Sequence, residues 1–167
     1  MKRQQHALQI LNKMKVGNYH YLGEGFSGIV YHDEQYVYKV HLPLAGSSYG
    51  ESDGLAYLAE KLDLFRHSYY LYDIDLLKID GITILKYVYD KAEPVGRISK
   101  EEYVEFLAEC WKKRIVFKNI RKDTNFIRIR GKLKFIDYEI LPYNDNLFLN
   151  SAARAYVDIL YPDLCRM

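Results

Sequence analysis

"YLGEGFSGIVYHDEQYVYKV", Tyr21–Val40, is the stretch on which the fold turns. Gly23, Gly25 and Gly28 satisfy G-x-G-x-x-G, Val30 extends the pattern to G-x-G-x-x-G-x-V, and Lys39 follows nine residues after that valine. The six-residue pattern has two structural uses: a turn into a helix whose N-terminus holds a pyrophosphate, or an arch between two strands. The residues that follow separate them. "IVYHDEQYVYKV" is rich in β-branched and aromatic residues and is interrupted at His32–Gln35, so it reads as strand, turn and strand. Lys39 then falls in mid-strand, where it is either a solvated lysine or an ammonium poised for an anion.

Working outward, "HALQILNKM" carries apolar residues at helical spacing (Leu8, Ile10, Leu11, Met14) and predicts a short leading helix. Gly46–Gly54 is a loop with helix-start signals, followed by an amphipathic helix in "LAYLAEKLDLF". Tyr69–Tyr89 predicts two strands joined by a tight turn at Asp80-Gly81. "KAEPVGR", Lys91–Arg97, breaks the pattern and marks a boundary, giving a first lobe over 1–90 and a second over 91–167. Ser99 with Glu102 forms a capping-box pattern ahead of a helix. A second hairpin turns at Arg130-Gly131, and a closing helix is stopped by Pro162.

Composition bounds the function. The 167 residues are 49% hydrophobic and 28% charged, enough for a packed core and unlike a disordered chain. Seventeen tyrosines suit half-buried sheet positions, where the ring packs and the hydroxyl reaches water. A net charge of +2 gives no argument for nucleic acid. The basic residues concentrate in Trp111–Lys134, where Arg128, Arg130, Lys132 and Lys134 read as the solvent face of a hairpin rather than a nucleic-acid patch. Cys110 and Cys165 read as free thiols, the five histidines show no metal-ligand spacing, and no run approaches a membrane span, so a cytoplasmic protein is expected.

The glycine arch and mid-strand lysine gain meaning from "RIVFKNIRKDTNFIRIRGKLKFIDYE", Arg114–Glu139. This stretch has β-branched residues, a basic loop, an asparagine, a short hairpin, and an aspartate after an apolar strand. Asn125 is otherwise a turn residue and Asp137 a strand-end acid. In this order, behind the arch and Lys39, they make the sequence resemble the protein-kinase-like superfamily over Tyr21–Glu139. Asn125 matches that family's loop asparagine, and Asp137 the aspartate of D-F-G, with Tyr138 and Glu139 in place of its Phe and Gly. Both would serve as hard oxygen ligands for Mg²⁺.

The resemblance implies an α+β, bilobal fold: a five-stranded antiparallel sheet with one packed helix, and a small, mostly helical second lobe. It implies ATP bound by Gly23, Gly25, Gly28, Val30 and Lys39, with the backbone near Lys86 and Val88 taking the adenine edge. Glu51 is the expected carboxylate partner of Lys39, with Asp53 and Glu60 as rivals. The sequence departs from the family at the catalytic base. Counting back five residues from Asn125 reaches Ile120; one inserted residue aligns "FKN" with H-R-D and places Asn119 on the aspartate. Either Asn119 stands where an aspartate has been lost, or Asp123 is the base of a rebuilt loop, or nucleotide binds without transfer. The 30 residues after Asp137 contain no A-P-E, so the second lobe is expected to be reduced. The implied activity is Mg²⁺-dependent transfer of the ATP γ-phosphate to a Ser or Thr hydroxyl of a protein. The rivals are a pseudokinase that binds nucleotide, a small-molecule kinase, and a non-nucleotide interaction domain.

Overall fold

The computed structural model describes residues 3–15, 17–25, 27–42, 58–66, 68–88, 93, 95–117, 125–136, 138 and 140–160. The chain divides into two compact units, one formed by Met1–Glu51 and Asp73–Asp90, the other by Ser52–Tyr72 and Lys91–Met167. Residues 52–72, placed in the first lobe by the sequence reading, thus cluster with the second unit.

In the first unit, helix α1 (Arg3–Asn12) lies on a five-stranded antiparallel sheet of β1 (His20–Glu24), β2 (Gly28–His32), β3 (Tyr36–His41), β4 (Asp75–Ile79) and β5 (Ile82–Val88), in the order β1-β2-β3-β5-β4. The leading helix is where its apolar spacing predicts it. Ala7, Ile10 and Leu11 recur on one face and are buried against Ile29, Tyr31, Tyr38, Val40 and Ile84. The β2–β3 turn is held by Asp33: its Oδ1 accepts the amides of Gln35 and Tyr36, both at 2.7 Å. Its Oδ2 accepts the Tyr38 hydroxyl at 2.7 Å, so the buried carboxylate has no idle oxygen. The β4–β5 turn is at Asp80-Gly81 with φ of 51° and 78°, both left-handed, as a two-residue hairpin requires. Lys13 of the α1 exit pairs with Asp80.

In the second unit, α2 (Lys100–Lys112) starts at a complete capping box: Glu102 N–H donates to Ser99 Oγ at 3.1 Å and Ser99 N–H to Glu102 Oε2 at 3.0 Å. A hairpin of β7 (Phe126–Ile129) and β8 (Lys132–Phe135) turns at Arg130-Gly131, again with positive φ at both residues. The short pair β6 (Val116–Phe117) and β9 (Ile140–Leu141), helix α3 (Asp145–Leu160) and a 3-10 turn at Leu62–Leu64 also belong to the unit. Its core is aromatic. The Phe106 ring from α2 lies 5.1 Å from Phe126 and 5.4 Å from Phe135, and Phe117 lies 4.5 Å from Phe135.

The two strands expected within Tyr69–Tyr89 begin only at Asp75. Tyr70, Leu71 and Tyr72 are consecutively buried, so this segment does not alternate; it packs beside β8 instead, where Phe135 N–H donates to Tyr70 O at 2.8 Å.

Candidate functional site

The glycine arch joins β1 to β2 as a strand-to-strand turn, closed by Gly25 N–H donating to Gly28 O at 2.9 Å. Its glycines divide by role. A Cβ at Gly28 would stand 2.4 Å from the backbone oxygen of Val40, so this glycine lets β2 lie on β3. Gly23 and Gly25 have no atom within 4 Å of an added Cβ; beside them the backbone opens onto free space.

Lys39 lies at the centre of a row. Cross-strand partners share a face, and the pairings Gly23↔Val30, Val30↔Lys39, Lys39↔Leu85 and Leu76↔Leu85 run straight across the sheet. Val37 and Tyr87, paired two residues further along, belong to the same face. Burial pushes the Tyr87 hydroxyl up to about 12, so it is neutral. The half-buried Lys39 ammonium thus has Val30, Leu85, Val37 and Tyr87 as neighbours on this face, with His41 two residues along β3. Among the described residues it meets no hydrogen-bond or ion-pair partner. Among the described residues this cation thus has no charged partner, and it stands in line with open glycine backbone, an arrangement compatible with an anionic ligand.

The other first-unit residues divide differently. The Lys86 side chain turns to the α1 face, opposite Tyr38, with its ammonium 3.8 Å above the Tyr36 ring. Val88 ends β5, pairs with Tyr36 and is exposed. Any adenine contact at these two positions falls to the backbone.

In the second unit, Asn125 immediately precedes β7 and is half-buried; its carbonyl accepts Ile136 N–H at 2.9 Å and closes the open end of the hairpin. Glu51, Asn119, Asp123 and Asp137 lie outside the described residues. Tyr138, the residue after Asp137, is buried; its ring meets Phe65 edge-on at 5.4 Å and its hydroxyl donates to Tyr72 O at 3.0 Å.

The four basic hairpin residues do not share a solvent face. Arg128 pairs with Leu133, on the side of Phe126 and Phe135, while Lys132 and Lys134 pair with Ile129 and Ile127 on the other side. Arg128 makes a two-pronged bond to Glu102, Nη1 to Oε1 at 2.7 Å and Nη2 to Oε2 at 3.0 Å, and its Nε donates to Val95 O at 2.8 Å. Lys134 Nζ donates to Ser68 O at 3.0 Å. Arg128 and Lys134 are thus structural cations, tied inward by backbone and carboxylate oxygens, while Arg130 and Lys132 are exposed. Asp33 escaped the sequence reading too, although an Asp at the head of a hairpin turn is itself a signal for side-chain-to-amide bonding.

Among the described residues no three His, Cys, Asp or Glu side chains gather as a metal site. Cys110 is buried, which pushes its thiol well up and leaves it inert. No described helix is long and apolar enough to cross a membrane.

No protein-family model matches the sequence, and no curated protein does. Solved structures match throughout. The PknI kinase domain of Mycobacterium tuberculosis superposes with a TM-score of 0.58 at 11% identity, over 85% of this chain and 73% of that one. A second structure of the same domain gives 0.55 at 11% identity, over 89% and 83%. The streptomycin–ATP–APH(2")-IIa ternary complex gives 0.51 at 16% identity, over 96% of this chain and 82% of that one. The chain therefore has the α+β fold of the protein-kinase-like superfamily. The likeness is one of fold, shared with a kinase domain and with an aminoglycoside phosphotransferase complex.

Proposed function

We propose that the protein is an ATP- and Mg²⁺-dependent phosphotransferase, carrying the γ-phosphate to a Ser or Thr hydroxyl of a protein. The observation that carries this reading is the row Gly23–Val30–Lys39, which sets open glycine backbone and a half-buried ammonium on one face of the sheet. Lys39 would hold the α- and β-phosphates, with Glu51 orienting its ammonium. The amides of the glycine arch other than that of Gly25, which closes the turn on Gly28 O, would meet the outer phosphates, and Val30 with Val37 would wall the base. Asn125 and Asp137 would hold Mg²⁺; a carboxamide and a carboxylate are the hard oxygen donors this ion takes together with phosphate oxygens. Bound ATP supplies the transferable phosphoryl group.

Asp123 is the side chain offered as base, beside Asn119 at the family's aspartate position. Positioning and charge stabilisation supply most of the catalysis in this chemistry, so the reading does not stand or fall on Asn119. The same asparagine favours a second reading, a module that binds nucleotide without transferring phosphate. The likeness to the streptomycin–ATP complex keeps a small-molecule hydroxyl among the acceptors to be tested.

The deciding experiment is intact mass after incubation with Mg²⁺–ATP and a panel of protein and small-molecule acceptors, comparing the chain with Asn119→Asp, Asp123→Asn and Asp137→Ala. Phosphate gain that Asp137→Ala abolishes supports transfer; dependence on Asp123 assigns the base. ATP binding without gain in any form supports the second reading, and absence of ATP binding at any metal concentration overturns both.

A further inference from the structure

We propose that α1 is a strut for the glycine arch and that Arg3 is the positioning residue that sets where the arch's amides meet phosphate. The inference rests on the nucleotide reading above. Arg3 reaches two strand ends with one planar group: Nε donates to Leu42 O at 2.7 Å, just past β3, and Nη2 donates to Gly25 O at 2.6 Å, just past β1. The amide of Gly25 is already committed to Gly28 O at 2.9 Å. Both backbone polar groups of a glycine inside the arch are therefore engaged, one of them by a side chain from a different element.

Neighbouring residues reinforce the tie. Gln4 Nε2 donates to Glu24 Oε2 at 3.3 Å, and the Tyr31 hydroxyl donates to Gln4 O at 3.0 Å. The helix that carries Arg3 and Gln4 is fixed on the sheet by Ala7, Ile10 and Leu11, none more than 2% exposed. The arch is thus anchored to a packed body, not merely hinged on its own hairpin. Glycine backbone has more freedom to lose on binding than any other, so an external anchor lowers the ordering cost of gripping phosphate. The guanidinium fork matters here. A lysine ammonium reaches one carbonyl as a point charge and does not span both with fixed geometry.

The test uses the full chain, Arg3→Met and Arg3→Lys, with two readouts. The first is hydrogen exchange of the Gly25 amide, followed by NMR without nucleotide. The second is affinity for ATP and for adenosine in Mg²⁺. Losing a charge-assisted bond at this exposure predicts Gly25 exchange about fivefold to tenfold faster in Arg3→Met and ATP affinity about fivefold lower. Adenosine lacks phosphate, and its affinity stays within about twofold. Arg3→Lys, which keeps the charge and the aliphatic stem, falls between, and it carries the test if Arg3→Met does not fold. Unchanged Gly25 exchange, or equal losses for ATP and adenosine, overturns the proposal. Faster exchange in a chain that takes up no ATP leaves the strut as a structural tie and overturns its nucleotide role together with the nucleotide reading.

Discussion

Val30 and Lys39 stand directly opposite one another on β2 and β3, and Leu85 faces Lys39 from β5. Lys86, the next residue on β5, turns to the other face and caps the Tyr36 ring at 3.8 Å. The two lysines therefore lie on opposite faces of the sheet, and the proposed nucleotide reading assigns them different roles. Lys39→Met should weaken ATP binding by about tenfold or more, the loss expected when a charge-assisted contact to phosphate is removed. Lys86→Met should leave ATP affinity unchanged and cost about 0.5–1 kcal/mol of stability through the lost cation–π contact. Calorimetric titration and thermal unfolding of both variants check this; equal ATP losses in the two would refute the assignment.

The glycines of the arch predict a second separation. Gly28→Ala drives a Cβ to 2.4 Å from the Val40 oxygen, which belongs to backbone and cannot swing away. Such overpacking costs about 1–3 kcal/mol, readable as a lowered denaturant midpoint. Gly23→Ala meets nothing within 4 Å, so its stability should be held, and on the proposed reading its ATP affinity should fall, since a methyl would enter the space that phosphate takes. If Gly23→Ala proves the more destabilising of the two, the division of roles is wrong.

The same residues show why part of the molecule was legible in advance. Asp80-Gly81 and Arg130-Gly131 are turns because only a few residue pairs accept two positive φ values in a row, a strictly local constraint. The capping box at Ser99 and Glu102 is local as well, and so is the apolar spacing of α1. Arg128 is different. Its partners Glu102 and Val95 lie 26 and 33 residues away, and alternation along a strand does not say which face is covered. The late start of β4 has the same origin: Tyr70–Tyr72 has strand-forming residues, but long-range aromatic packing and one bridge to β8 claim them. For the candidate site, the arch and Lys39 were readable from order and spacing. The inward turn of the Lys86 side chain was not, because it depends on register with β3.

Asp33 predicts an acid sensitivity in the first unit. Burial disfavours its charged form, but the bonds from the Tyr38 hydroxyl and the Gln35 and Tyr36 amides, with the Lys86 charge nearby, outweigh it and hold the carboxyl below its usual range. A depressed carboxylate contributes stability that is present above the unfolded-state value and is lost as pH falls through the folded one. Unfolding free energy should therefore decline below about pH 4, and Asp33→Asn should flatten that decline. At neutral pH the substitution should cost about 1–3 kcal/mol, since the three donors lose a charged acceptor. Tyr38 has the opposite sign: burial, then its bond to Asp33, raises its hydroxyl, so its contribution is lost as pH rises beyond about 10. Urea melts between pH 3 and pH 7 decide the first point; parallel pH profiles for wild type and Asp33→Asn would remove Asp33 from the account.

The Arg128–Glu102 pair makes the strongest prediction in the second unit. Arg128 is 17% and Glu102 29% exposed at the side chain, and the guanidinium meets both carboxylate oxygens while also binding Val95 O and Gly131 O. Glu102 has a second task, receiving the Ser99 amide in the capping box. The Arg128 bond lowers the Glu102 carboxyl, burial opposes it, and the Ser99 amide adds to the lowering. Removing the arginine leaves a half-buried carboxylate and the carbonyls of Val95, Arg97 and Gly131 without this donor, so Arg128→Met should cost about 2–4 kcal/mol. Glu102→Gln keeps an acceptor for Ser99 and for one arm of the fork and should cost less, about 1–2 kcal/mol. The pair should be coupled: in a double-mutant cycle the combined loss should fall short of additivity by about 1 kcal/mol or more. Urea unfolding of the four proteins at pH 7 measures this directly. The coupling should shrink as pH falls through the depressed carboxyl value, because a protonated Glu102 no longer answers the guanidinium charge. Additive losses at pH 7 would mean that Arg128 is held by the backbone carbonyls alone and that Glu102 serves only the helix cap.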